Sequence, residues 1–292
     1  MSHRARKRAL IIAGSAVVAG FTLVAPAYAA ASGHSAATTT ANNPAGHRTP
    51  SGAPVQSGGP VAHLVGPKAS PGFTRNQTTT STNWSGYAAA SGTFTSVSSS
   101  WVEPTGKCSS GAQYSSFWVG LDGYNSSSVE QTGSEVDCSG STPQYYSWYE
   151  MYPAYPVNFT NTVRPGDHFT GSVTYAGSNT FTLKLADTTQ GWSHTVSKKL
   201  SGAARSSAEV IAEAPCCTSS GGILPLADFG TVNFTGAKAN GSSIGNFGPV
   251  GINMVSASGT PEDRISALSS GQNFSATWLS SGNGPRRGGR RG

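Results

Sequence analysis

Short runs rich in aromatic and β-branched residues, each closed by Gly, Pro, Asn or Asp, fill the middle of this chain. They lie at residues 84–89, 93–101, 115–121, 145–151, 168–175, 180–186 and 195–200, and they either alternate polar with apolar or run apolar throughout. That pattern predicts strands. Helices have little to be built from, because only 11% of residues are charged, Gly numbers 37, and runs of Ala, Glu, Lys and Leu at helical spacing are missing. Residues 208–213 fit a strand or a helical turn, and Pro215 ends either. With 36% hydrophobic residues, 6 Trp, 10 Tyr and 11 Phe, the chain can fill one sizeable core. No self-similar period marks a propeller or solenoid. The expected fold is all-β, a β-sandwich forming a single compact domain over residues 81–281.

The ends read differently. Residues 1–29 have a cationic start (Arg4, Arg6, Lys7, Arg8), an apolar stretch and the small-x-small pattern Ala27-Tyr28-Ala29, the marks of a secretory signal. The apolar stretch falls short of the roughly 20 residues that a membrane span needs. A secreted protein with no membrane attachment in its mature form is expected. Residues 30–80, rich in Ala, Ser, Thr, Gly and Pro, bury too little to offset ordering and read as a linker or a removable pro-segment. Residues 282–292 form a Gly/Arg tail expected to be disordered. The formal net charge of +6 belongs to these ends. Every carboxylate lies between Glu103 and Asp263 and outnumbers the cations there, so a basic nucleic-acid-binding domain is not expected.

Four cysteines allow three pairings in an oxidising compartment. Cys108 with Cys138 is favoured, stapling the loops on either side of the strand that carries Trp118. Cys216 and Cys217 would then form a vicinal disulfide or stay as thiols. A zinc site has neither C-x-x-C spacing nor a supply of nearby His.

Several chemistries lack their residues. The body holds His168 and His194 alone, each with a weak context better suited to a strand surface than to a base. There is no G-x-S-x-G elbow, no H-E-x-x-H, no phosphate loop and no dinucleotide fingerprint. No metal and no cofactor are expected. Carboxylates, amides and aromatics remain, gathered at residues 117–123, 129–133, 147–153 and 207–213. Glu209 and Glu213 would share one face of a strand, roughly 13 Å apart.

Six of these stretches, in order, are N-W-S-G, W-V-G-L-D-G, Q-T-G, W-Y-E-M-Y-P, A-E-V-I-A-E and L-P-L-A-D-F-G. Their series from Asn83 to Phe234 resembles the glutamic peptidases (eqolisins), secreted acid endopeptidases. The resemblance implies a sandwich of two curved antiparallel sheets, jelly-roll or lectin-like, and polypeptide substrates cleaved by a monomer. It places the catalytic Gln on Gln131 and the catalytic Glu on Glu213, with Glu209 the competing assignment. Trp84, Trp118, Asp122 and Glu150 match motif positions and read as groove wall or support. Met151 replaces a Trp of the family motif, and Ala214-Pro215-Cys216-Cys217 replaces an acidic run.

The pair is chemically coherent. Without a nucleophilic side chain, peptide hydrolysis needs a base for water and a donor for the oxyanion. An ionised Glu213 supplies the first, and the Gln131 amide supplies an acceptor for water and N–H donors. An acidic optimum follows, and the carboxylates of the body are expected to line the groove. The rival reading is a carbohydrate-binding or carbohydrate-cleaving sandwich, in which Gln131 has no role.

Overall fold

A computed structural model of the chain describes residues 77–109, 111–215 and 223–282, together with the backbone of a two-strand pair, β1 (His47–Arg48) and β2 (Pro54–Val55). Expectations for residues 1–29, for most of 30–80, for the tail beyond residue 282, and for Cys216 and Cys217 lie outside the described residues. The strands that follow are β3 (Thr78–Ser81), β4 (Trp84–Ala89), β5 (Ser96–Val102), β6 (Ala112–Leu121), β7 (Val129–Ser139) and β8 (Thr142–Tyr152). Next come β9 (Val157–Asn158), β10 (His168–Gly177), β11 (Thr180–Asp187), β12 (Trp192–Lys199) and β13 (Ala208–Glu213). The last are β14 (Thr231–Ala239), β15 (Ser242–Ser243), β16 (Val250–Val255), β17 (Pro261–Ile265) and β18 (Phe274–Trp278). No α-helix occurs among the described residues, and residues 208–213 resolve as a strand.

One ladder runs β12-β11-β10-β5-β14-β18-β17-β16-β4-β13-β6-β7-β8-β9 and folds back on itself. The β16-to-β9 part forms one layer and the β12-to-β18 part the other, with β17 turning the corner. Pairing among these strands is antiparallel except where β3 joins β16. This is the all-β sandwich expected. The alternation of strand side chains sends Phe117, Val119, Leu121, Val210 and Ala212 of the first layer inward. They meet Trp101, Phe169, Val173 and Leu183 of the second. Trp101 stacks on Phe169 with ring centroids 5.8 Å apart, and a Cβ on Gly171 would come within 3.0 Å of both the Trp101 ring and Val119. Glycine there lets the layers close. Burial of each such aromatic stabilises by about 1.5–3 kcal/mol.

Strand prediction stopped short in two places. β7 was not anticipated as a strand, because it carries Glu130, Gln131, Glu135 and Asp137 and yet is buried on both faces. Strands β14 and β16–β18 also fall beyond the expected runs. Cys108 and Cys138 form the expected disulfide, Cα–Cα 5.3 Å, but Cys138 sits within β7 rather than in a loop.

Candidate active site

The face of the first layer that points away from the core is set by register, since directly opposed residues project to the same side. Glu213 of β13 lies opposite Trp84 of β4 and Ser116 of β6; Ser116 lies opposite Glu135 of β7, and Glu135 opposite Tyr146 of β8. Along the strands from that row is a second, of Ile211, Trp118, Gly133 and Trp148. A third holds Glu209, Gly120, Gln131 and Glu150. Gln131 and Glu213 therefore sit diagonally on one face, with Trp118 in the row between them. The glycines make room for its indole: a Cβ on Gly120 would lie 2.9 Å from Trp118 Cζ3, and one on Gly133 2.6 Å from Trp118 Cβ. Trp84, Trp118, Trp148, Tyr152 and Ile211 form a second apolar cluster on this face, separate from the core.

Each member of the diagonal pair is held by a donor or acceptor of its own. The Trp118 Nε1–H donates to Glu213 Oε2 at 2.8 Å, and Asn83 Nδ2 donates to Oε1 at 3.3 Å. Asn83 is itself set by the Ser81 hydroxyl, which donates to its Oδ1 at 3.0 Å, and its carbonyl accepts from the Ala214 N–H at 2.9 Å. Trp84 meets Trp118 edge to face, centroids 5.1 Å apart. Gln131 Nε2 donates to Glu150 Oε2 at 2.5 Å across the β7–β8 ladder, while Gln131 Oε1 has no hydrogen-bond partner.

Burial sets the electrostatics. It pushes the Glu213 carboxyl up to about 8, against a downward pull from Trp118, Trp84 and Asn83. Glu150 is also held well above the carboxyl range, by burial first and then by the charge of Glu213, with the Gln131 bond pulling the other way. Glu135 is raised by burial and by its neighbour Asp137 on the same face. Glu213 acts on both Glu150 and Glu135, so the pair and its surroundings form one electrostatic unit.

Of the residues singled out from sequence, Gln131, Glu213, Trp84, Trp118 and Glu150 come together on this face. Asp122 does not join them. With φ +68° it accepts from the Arg205 and Ser206 N–H groups at 2.7 and 2.8 Å, tying down the segment that leads into β13. Glu209 shares the Gln131 row, across Gly120, and burial holds it high. Asn83 and Glu135 went unremarked as site residues: Asn83 is visible in N-W-S-G, and Glu135 stands four residues after Gln131, hence on the same face of a strand. The carboxylates are not confined to the groove as expected. Twelve of the thirteen are buried, Asp228 excepted, and Glu103, Asp167, Asp187, Glu262 and Asp263 lie elsewhere. His194 packs flat on Phe159, centroids 4.2 Å apart, away from the pair. Among the described residues no group of three or more His, Cys, Asp or Glu is placed to hold a metal.

Residues 82–278 match the model of the peptidase A4 family. Aspergillopepsin-2 of Aspergillus niger is 34% identical over 137 residues, 44% of this chain and 48% of that protein, so the match spans about half of the relative's length. Scytalido-glutamic peptidase with a peptide-based transition-state analogue superposes with a TM-score of 0.56 at 25% identity, over 68% of this chain and 98% of that one. SCP-B, an eqolisin in complex with the tripeptide Ala-Ile-His, has the same fold, TM-score 0.57 at 23% identity over 68% of this chain and 98% of its own.

Proposed function

This chain belongs to the peptidase A4 family, and from that premise we propose that it is a secreted acid endopeptidase whose catalytic pair is Glu213 and Gln131. The observation that carries the reading is the separate grip on each member of the pair, Trp118 and Asn83 on Glu213, Glu150 on Gln131. A base and an amide with a free oxygen thereby face the same aromatic-walled surface.

Water held by Gln131 Oε1 gives its proton to Glu213 as its oxygen adds to the scissile carbonyl. The remaining Nε2–H of Gln131 is available to the tetrahedral oxygen. Glu213 then passes the proton to the leaving nitrogen, and the C–N bond breaks. Substrate is a polypeptide, in keeping with the peptide-based ligands of the solved relatives. The reaction needs no cofactor.

Buried, Glu213 is a neutral acid at low pH, because desolvation outweighs its donors. Opening the face to water removes the larger effect and leaves the three donors, which hold the group as a carboxylate in acid. Residues 30–80 carry Arg48, Lys68 and Arg75 and no carboxylate, a charge suited to covering this face before activation.

Hydrolysis of denatured protein at about pH 3 to 4 is the test, with Gln131→Ala and Glu213→Gln as controls. Both variants should be inactive. Full activity in Glu213→Gln would sink the mechanism, and polysaccharide binding without proteolysis would replace the function.

A further inference from the structure

The residues on either side of Glu150 face the other way. Tyr149 and Met151 alternate with it on β8 and point to the side opposite Gln131. There, at the edge of the sandwich between the β8–β9 loop and the end of β12, they line a cavity of about 420 Å³. Its size falls within the roughly 300–1,000 Å³ typical of small-molecule sites. Val157, which pairs with Tyr149, and Leu200 complete the apolar wall. Met151 stands where the family motif has Trp, whose indole would project into the same space. The unbranched thioether leaves it open and adaptable.

The mouth has its own chemistry. Tyr155 is 48% exposed, one of few large apolar side chains left in solvent among the described residues. Lys198 and Lys199 both line the mouth, but Lys198 lies in the row of β12 that faces Tyr149, its Nζ 5.8 Å from that ring centroid, while Lys199 alternates to the other side of the strand. None of the residues lining the cavity is acidic, and no carboxylate of the described residues pairs with either ammonium. An apolar chamber with a cation at its mouth and no acidic group in its lining selects for one kind of guest.

We propose that this cavity is a second binding site, back to back with the proposed catalytic face, for an amphipathic anion: an aryl or alkyl body against Met151, Val157 and Leu200, its acid group on Lys198 at the mouth. The site is independent of the catalytic assignment and is tested by binding rather than by turnover.

Titration of the full chain with 8-anilino-1-naphthalenesulfonate, anionic across the acid range, reads the site by fluorescence and calorimetry. One saturable site is expected, displaced by octanesulfonate, with affinity reduced at least about tenfold in Lys198→Glu/Lys199→Glu, where attractive charge at the mouth becomes repulsive. Met151→Trp should fill the chamber and abolish binding. Both lysines are exposed, so the double variant keeps the test decisive even if the Trp variant does not fold. Absence of saturable binding in the parent, or parental affinity in the lysine double variant, overturns the proposal. Equal affinity for the neutral N-phenyl-1-naphthylamine overturns the assignment of an anion.

Discussion

The Trp118 indole reaches Glu213 along the strand direction rather than across the ladder. Trp118 is paired with Ile211, and Glu213 with Ser116, yet Nε1–H and Oε2 are 2.8 Å apart. The ring leans over by two residues because Gly120 and Gly133 put no side chain beside it and Trp84 braces it edge to face. The Glu213 carboxyl is thus held by a donor that cannot itself ionise.

Trp118→Phe keeps an aromatic ring at the position and removes that donor. With one of three stabilising contacts gone, the Glu213 carboxylate in the opened site is less favoured and its pKa rises. A hydrogen bond to a charged group is worth about 1.5–3 kcal/mol, so kcat/KM at low pH should fall roughly tenfold to a hundredfold. The acidic limb of the pH–rate profile should move upward. A limb that stays in place would mean that Trp118 is wall and nothing more.

In the proposed mechanism Glu150 acts through Gln131, and its variants separate positioning from bulk. In Glu150→Gln the side-chain carbonyl still accepts from Gln131 Nε2; in Glu150→Ala nothing does. Positioning predicts near-parental kcat in the first and a loss of about tenfold or more in the second, with KM changed little in either. Equal losses in both would assign the effect to the charge or size of Glu150.

The readable part of this chain was the part where alternation of polar and apolar residues works. β4, β6, β8 and β10–β12 were expected close to where they lie because their inward rows are apolar or aromatic: Tyr87 and Ala89 on β4, Phe117, Val119 and Leu121 on β6, Tyr149 and Met151 on β8, and Phe169, Val173, Phe181, Leu183 and Leu185 on β10 and β11. β7 escaped because carboxyl and amide groups occupy buried positions on both its faces, so that its polarity reads as a loop. Gln131 and Glu213 were legible as members of motifs. Their diagonal placement and the Gln131–Glu150 bond were not, since these depend on the registers of β13, β6, β7 and β8, which no local pattern encodes. Likewise, counting charges shows an acidic body but cannot show that its carboxylates are inside.

The Cys108–Cys138 bridge closes a span of 30 residues that contains all of β6 and most of β7. By loop-closure entropy such a link stabilises by about 3–4 kcal/mol. Cys108→Ala/Cys138→Ala should lower the denaturation midpoint accordingly while leaving the order of pH effects unchanged, as measured by urea unfolding followed by tryptophan fluorescence. A double variant as stable as the parent would show that the β6–β7 ladder holds itself.

Stability should also fall as the solution becomes less acid. Glu103 extends from the end of β5 across the interior to the Ser134 hydroxyl of β7, which in turn accepts from Trp101 Nε1 at 2.8 Å, so a carboxyl group links the two layers. Burial raises Glu103 and Glu130 to about 8 and Asp137 and Asp263 to about 7, and it holds Glu135, Glu150 and Glu209 well above the ordinary carboxyl range. Each of these groups binds its proton more tightly folded than unfolded. Their contribution is complete below the ordinary carboxyl range near pH 4 and is lost as pH climbs through about 7 to 8, where the folded protein must ionise groups that water cannot reach. The melting temperature should therefore be highest in acid and decline steadily from about pH 5 to pH 8. Glu103→Gln keeps an acceptor for Ser134 and cannot ionise, so it should match the parent near pH 3 and melt above it near pH 7. Scanning calorimetry across that range decides the matter: a melting temperature that stays flat or rises toward neutrality would mean that the buried carboxyls are solvated on the timescale of unfolding and do not control the fold.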